Sequence, residues 1–341
     1  MNIIDLRSDT FTKPTKGMLK AMFEAEVGDD VFGEDPTVNN LEAKVSKLFG
    51  MESGMFCPSG TQTNQIAIRV HTKPGDEVIC DTSSHIYRFE GGGIAYNSLA
   101  SVRLIEGNRG RIKAKDVLEN INPNNIHHPR TNLVSLENTC NKGGGSCYKF
   151  EDIIDIKNIC TEHGLKLHLD GARLFNALRV TNETPLQYGE VFDSISICLS
   201  KGLGAPIGSL LLGAQDFIDE ARRVRKVFGG AMRQSGFLAA AGIYALDNHV
   251  ERLDEDHKKA KELADVLNQC SYVEKVFEQQ TNILIFKLIE KVSNEEFLQK
   301  LETYNVKAVG FGSQHIRMVT HLDITDKMHQ HTLNILKDLS F

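Results

Sequence analysis

Apolar residues recur along this chain at two alternating spacings. Val38, Leu41, Val45 and Leu48 fall three or four positions apart, which predicts a helix over 37–49, capped by Thr37 and stopped at Gly50. Downstream, short apolar runs at 77–80, 101–105, 133–136, 165–169 and 194–199 predict buried strands. Helical stretches at 61–71, 115–121 and 151–163 separate several of them, the last ended by Gly164. Such alternation predicts an α/β fold whose mostly parallel sheet is flanked by helices on both faces. A long helical region over 233–268 follows. Strands then return at 282–287, 306–309 and 316–320, with helices near 294–303 and 326–339. The expected organisation is a large domain over 1–248 and a smaller C-terminal α/β domain over 249–341. No proline-rich or glycine/serine-rich linker separates them, and there is no internal repeat.

Composition removes several functional classes. With 41% hydrophobic and 25% charged residues, 28 glycines and 8 prolines, the chain is neither disordered nor fibrous. Its net charge of −6 comes from interleaved acids and bases with no basic stripe, so no nucleic-acid partner is expected. The longest apolar stretch, 237–246, is far short of the roughly 20 residues that cross a bilayer, so no membrane partner is expected either. Asp5, Arg7 and Asp9 stand where a secretion signal needs an apolar run, and the seven cysteines include no CxxC pair. Free thiols in a reducing cytoplasm are the expectation.

In open parallel sheets ligands bind beyond the carboxyl ends of the strands, so the residues that end the strands carry the chemistry. The run 165–169 ends in Asp170-Gly171-Ala172-Arg173 and the run 194–199 in Ser200-Lys201-Gly202. Singly, these read as a helix-capping aspartate and a surface lysine. Together they suit a Schiff base between Lys201 and pyridoxal phosphate, with Asp170 partnering the pyridine nitrogen. Pro58-Ser59-Gly60-Thr61, just before a predicted helix, offers backbone N–H groups for a phosphate, although alone it is only a cap. Rival motifs fail: there is no Gly-Lys dipeptide for a Walker A loop, no GxSxG, and the glycines at 202, 204 and 208 miss GxGxxG by one residue. The twelve histidines form no HExxH or zinc-finger spacing, so no metal ligand is assigned. His85 and His127 lie near predicted strand ends and are candidate general bases. The run Arg222, Arg223, Arg225, Lys226 reads as a solvated helix face, and Arg233 as an anion ligand at a helix start.

Longer motifs add a family. DLRSDT (5–10), GDDVFGEDP (28–36), PSGTQTNQ (58–65), LENT (136–139), DGARLFNA (170–177), CLSKGLGAPIGSLL (198–211), GGAMRQSG (229–236) and RMVTH (317–321) span almost the whole chain. In them the chain resembles the low-specificity L-threonine aldolases, pyridoxal-phosphate enzymes of fold type I. The resemblance implies cleavage of L-threonine or L-allo-threonine to glycine and acetaldehyde, with an aminotransferase or a β-eliminating lyase as the nearest alternative activity. It implies Lys201 as the cofactor-binding lysine, Asp170 at the pyridine nitrogen, Arg173 by the ring phenolate and His85 against the ring. It further implies Gly60 and Thr61 at the phosphate, and Ser8 and Arg317 at the substrate carboxylate. His127 would stand near the substrate hydroxyl, and Arg233 would approach the phosphate from across a subunit interface. Similar enzymes form homotetramers, dimers of dimers with shared active sites. Two positions depart from the family pattern: Phe32 replaces a frequent tyrosine, which removes a hydroxyl and its polar contact, and Cys140 a frequent histidine, which removes one ionisable group near the site; activity is expected to persist.

Overall fold

The computed structural model describes residues 3–341. In chain order, β1 (Ile4–Asp5), α1 (Lys16–Phe23) and α2 (Pro36–Phe49) lead into β2 (Ser53–Cys57) and α3 (Gly60–His71). Next come β3 (Glu77–Asp81), α4 (His85–Arg88), α5 (Gly93–Ser98), β4 (Ser101–Ile105), α6 (Ala114–Glu119), β5 (Thr131–Glu137), α7 (Phe150–His163) and β6 (Lys166–Gly171). After them run α8 (Leu174–Val180), α9 (Pro185–Val191), β7 (Ser194–Cys198), β8 (Ser209–Gly213), α10 (Gln215–Val227), α11 (Gly236–Asn248) and α12 (Leu253–Leu267). The C-terminal part holds β9 (Val273–Val276), β10 (Ile283–Leu288), α13 (Asn294–Glu302), β11 (Val306–Lys307), β12 (Val309–Gly310), β13 (His315–Val319) and α14 (Asp326–Asp338).

The main sheet has the order β2-β8-β7-β6-β5-β3-β4. Strands β3 to β7 pair in parallel and β8 alone is antiparallel, to β7 and to β2. Every residue of β3, β7 and β8 is buried, because helices cover both faces; hence the unbroken apolar runs in the sequence. A second, antiparallel sheet has the order β12-β13-β10-β9 and its own core, which includes Phe286, Phe297 and Leu336. β1 pairs with β11, and Ile4 and Leu6 belong to this smaller core. The first residues thus depart from the expected 1–248 domain: Ile4 and Leu6 alternate with Asp5 and Arg7, the pattern of a strand with one face buried.

Three expectations need correction. The cap of α2 is Asp35, whose Oδ1 accepts from the amides of Thr37 (3.2 Å) and Val38 (3.0 Å), with Pro36 at the first helical position. The helical region 233–268 is broken at 249–252, where His249 Nδ1 lies 2.7 Å from the Leu203 carbonyl. The basic run on α10 is only partly solvated: Arg222 bonds Glu42, and the buried Arg225 pairs with Asp30 at 2.9 Å. Residues three apart share a helix face, and this face of α10 packs on β2 and α3. Six of the seven cysteines are buried, all seven are unpaired, and burial pushes Cys57, Cys80, Cys147 and Cys160 up to about 12. Among the described residues no helix is long and apolar enough to cross a membrane.

Candidate active site

The carboxyl ends of β2, β3, β5, β6 and β7 lie along one edge of the sheet, and each hands its next residues to that edge. Lys201 follows β7, its Nζ 3.5 Å from Cys198 Sγ. Beside it Arg173 grips the buried Asp9 with two N–H groups, Nε at 2.8 Å and Nη2 at 2.6 Å, and Asn282 Nδ2 adds a third donor at 3.2 Å. Burial alone would raise the Asp9 carboxyl, but Arg173 and Lys201 hold it well below the usual carboxylate range. Arg173, expected at a ring phenolate, therefore keeps the Nη1 hydrogens and the second hydrogen of Nη2 for that task.

Asp170 ends β6. Its Oδ2 accepts from Asn64 Nδ2 at 2.9 Å and its Oδ1 from the Ala172 amide at 3.2 Å. The other Asn64 Nδ2 hydrogen goes to Glu90 Oε1 at 2.9 Å, which also accepts from His85 Nδ1 at 2.9 Å. The ligand-type atoms of His85, Glu90 and Asp170 consequently lie within 4.8 Å of one another. Burial pulls the His85 ring down, but the bond to Glu90 and the charge of Asp170 outweigh it, so its protonation is favoured.

Glu137, ending β5, accepts from the His85 amide and from the Asn141 amide, each at 2.8 Å. Burial and the nearby Asp170 push its carboxyl up to about 7. Asn141 Oδ1 accepts from Arg317 Nη1 at 3.0 Å, and Arg317 Nη2 donates to the Arg7 carbonyl at 2.9 Å. Arg317 Nε is buried with no partner, and among the described residues no carboxylate pairs with this guanidinium. Burial, and then repulsion from Arg173, lower it to about 10.

At the start of α3, Ser59 Oγ accepts from the Gln62 amide at 3.2 Å, which leaves the amides of Gly60 and Thr61 without a partner among the described residues. A Cβ on Gly60 would stand 2.4 Å from Cys198 Sγ, so only glycine lets the turn approach β7. The buried Ser209 hydroxyl, close to the same point, also lacks a partner. Two free amides at a helix start beside an unpaired hydroxyl form a phosphate-sized cradle.

Other predicted residues lie differently. Ser8 Oγ accepts from the Thr10 amide at 3.2 Å, so it caps a short turn next to Arg7 and Asp9. His127 is exposed and precedes β5, which puts it at the opposite edge of the sheet from Glu137; the seven residues of β5 separate the two by roughly 20 Å. Within one chain it does not approach Lys201. Arg233 is exposed and pairs with Asp29 at 2.9 Å. Phe32 is exposed, and the buried Cys140 Sγ donates to the Glu137 carbonyl at 2.9 Å. Asp9, Asn64, Glu90, Glu137 and Ser209 are the site residues that periodicity did not single out.

Residues 5–291 match the family model described as Beta-eliminating lyase. The chain is 43% identical to the low specificity L-threonine aldolase of Escherichia coli (strain K12) over 327 residues, 95% of each chain. It is 41% identical to that of Saccharomyces cerevisiae over 312 residues, 90% of this chain and 80% of the relative. Among solved structures, Leishmania major threonine aldolase superposes with a TM-score of 0.85 at 23% identity, covering 98% of both chains. Sphingomonas wittichii serine palmitoyltransferase shares the fold, with a TM-score of 0.75 at 18% identity over 98% of this chain and 86% of that one.

Proposed function

Because the chain belongs to the low-specificity L-threonine aldolases of the Beta-eliminating lyase family, we propose that it cleaves the Cα–Cβ bond of L-threonine and L-allo-threonine, giving glycine and acetaldehyde. Its cofactor is pyridoxal 5′-phosphate, which when bound supplies an aldehyde that condenses with amines and a ring that accepts the electron pair of the broken bond. Lys201 is the amine that holds it. Asp170 would receive the ring nitrogen, Arg173 Nη1 the phenolate oxygen, and the amides of Gly60 and Thr61 with the Ser209 hydroxyl the phosphate. His85, braced by Glu90, would lie against the ring.

The observation that carries the reading is the Arg317 guanidinium: the side chain is half-buried, its Nε is buried and unsatisfied, it has no carboxylate of its own among the described residues, and it shares the site with Lys201 and Asp170. Such a group needs an anion, and an amino-acid carboxylate gripped there, near Ser8, would set the angle at which Cα–Cβ meets the ring. His85 is the group of this chain suited to take the β-hydroxyl proton as acetaldehyde forms. We assign His127 and Arg233 to sites shared between subunits of a homotetramer. Their exposure supports this, as do the exposed Phe23, Phe32, Tyr96 and Val227. The unpaired cysteines support a cytoplasmic location.

The test is incubation of the cofactor-loaded enzyme with L-threonine and separate assays for acetaldehyde, ammonia and keto acids. Acetaldehyde and glycine in equal amounts are expected. Keto acid with ammonia would mean elimination, and keto acid formed only with an added amino acceptor would mean transamination.

A further inference from the structure

The face of α3 that lies on the sheet is polar where packing alone would ask for leucine and valine. Thr63 and Asn64 meet His168, Asp170, Ser194 and Ser196, all 2% exposed or less, and the half-buried His71 closes the row. The register explains the grouping. His168 pairs with Ser194 and Asp170 with Ser196 across β6 and β7, residues two apart share a sheet face, and Asn64 and His71, seven apart, share a helix face.

The hydrogens along this row have one consistent arrangement. Both Nδ2 hydrogens of Asn64 face carboxylates, those of Asp170 and Glu90. The amide oxygen is thereby turned to His168 Nε2, 3.1 Å away, and that nitrogen must carry the proton. His168 Nδ1 is then bare and accepts from the Ser194 hydroxyl at 2.8 Å. The Ser194 oxygen in turn accepts from His71 Nε2 at 2.8 Å. Burial lowers His168 to about 3 and His71 to about 4, so neither ring carries a second proton at neutral pH. The reverse arrangement would set a bare His168 Nε2 against the Asn64 oxygen, two acceptors face to face. Every donor therefore points the same way, from His71 through Ser194, His168 and Asn64 to Asp170.

We propose that His168 is the positioning residue of Asp170. By donating to Asn64 Oδ1 it locks the amide with its N–H groups on Asp170 and Glu90, and so fixes the carboxylate that partners the cofactor's ring nitrogen. Without that donor Asn64 Oδ1 is a buried acceptor with no partner, and the amide is held on one side only, by the two carboxylates. The inference rests on the reading of Asp170 given above.

Two measurements test it. In cofactor-free protein labelled with ¹⁵N-histidine, two-bond ¹H–¹⁵N correlations report the tautomer of each ring, and His168 is expected as Nε2–H with Nδ1 bare. In His168→Leu, with folding checked by circular dichroism and melting, the dissociation constant for pyridoxal phosphate should rise about tenfold or more, and the absorption band of the bound cofactor should shift. His168→Gln, whose amide N–H can meet the same oxygen, should recover most of both. If His168→Leu does not fold, Ser194→Ala is measured in its place, with a loss of about threefold or more expected. An Nδ1–H tautomer overturns the proposal, as does a folded His168→Leu, or its Ser194→Ala substitute, with parent affinity and spectrum. Failure of the underlying reading shows separately, as full activity in Asp170→Asn.

Discussion

Lys201, Asp170 and Arg317 should fail in three different ways. Lys201→Ala is expected to abolish turnover and, with it, the borohydride-stable attachment of the cofactor to residue 201, read by mass spectrometry; attachment at another lysine would displace it from its role. Asp170→Asn keeps the shape but removes the charge proposed to face the ring nitrogen, and kcat should fall about 10²-fold or more, as for other groups that oppose charge developing in the transition state. Arg317→Lys keeps the charge and loses the fork. Its kcat/KM should fall about 10- to 100-fold while cofactor affinity holds, and parent kinetics with a lowered melting temperature would reduce Arg317 to a structural role. Lys201, Asp170 and Arg173 were legible because they follow apolar runs, which places them at strand ends before any fold is known. Asp9, Asn64 and Glu90 were not. A buried polar side chain looks like a surface one in a hydropathy pattern, and what buries it, such as Arg173 for Asp9, is far away in the chain. His127 shows another limit: nearness to a strand end says nothing about which end, and it stands at the entry to β5, away from Lys201 of its own chain.

Among the elements, α2 carries a device that a sequence reader locates two residues late. Asp35 caps the helix and also accepts from the Gly236 amide at 2.8 Å, so one buried carboxylate starts α2 and holds the first turn of α11. Asp35→Ala should therefore cost about 2 kcal/mol, the upper end for a cap, in denaturant unfolding; a loss below about 0.5 kcal/mol would mean that water replaces the carboxylate. The strands of the parallel sheet were easy to place, since coverage on both faces makes their apolar runs continuous. β2 was missed because Ser53-Gly54-Met55-Phe56-Cys57 has neither alternation nor a β-branched residue. The inward turn of Arg222 and Arg225 was missed because their partners, Glu42 and Asp30, precede them by more than 150 residues.

For the molecule as a whole, buried histidines set the response to acid. Burial lowers His71 and His257 to about 4 and His168 to about 3. Each binds its proton less readily folded than unfolded, so its contribution to stability is present above about pH 6.5 and is lost as pH falls toward 4. Glu137, raised to about 7, acts in the other direction: the folded state holds its proton more tightly, so its contribution falls as pH rises from 4.5 to 7. His85 and the carboxyls of Asp30, Glu42, Glu183 and Asp256, also raised, act with Glu137, and the three large histidine shifts are expected to outweigh them. The melting temperature should drop between pH 6.5 and 4, and His257→Gln, which keeps a donor toward Asn176 Oδ1 but cannot titrate, should make the drop shallower. An equal slope in parent and variant would remove His257 from the account.

The pairing of β1 with β11 orders events in time as well as in space. During synthesis the residues of the seven-stranded sheet, 53–213, leave the ribosome well before β11 exists, so that sheet has its strands in hand while Ile4 and Leu6 still have nothing to pack against. Asp9, five residues further on, waits with them for Asn282, and the Arg7 carbonyl waits for Arg317. This corner of the site is thus the last part of the newborn chain to close: a polypeptide stalled short of residue 317 can hold Lys201 and Asp170 at the sheet edge and still lack the guanidinium proposed above to grip an amino acid.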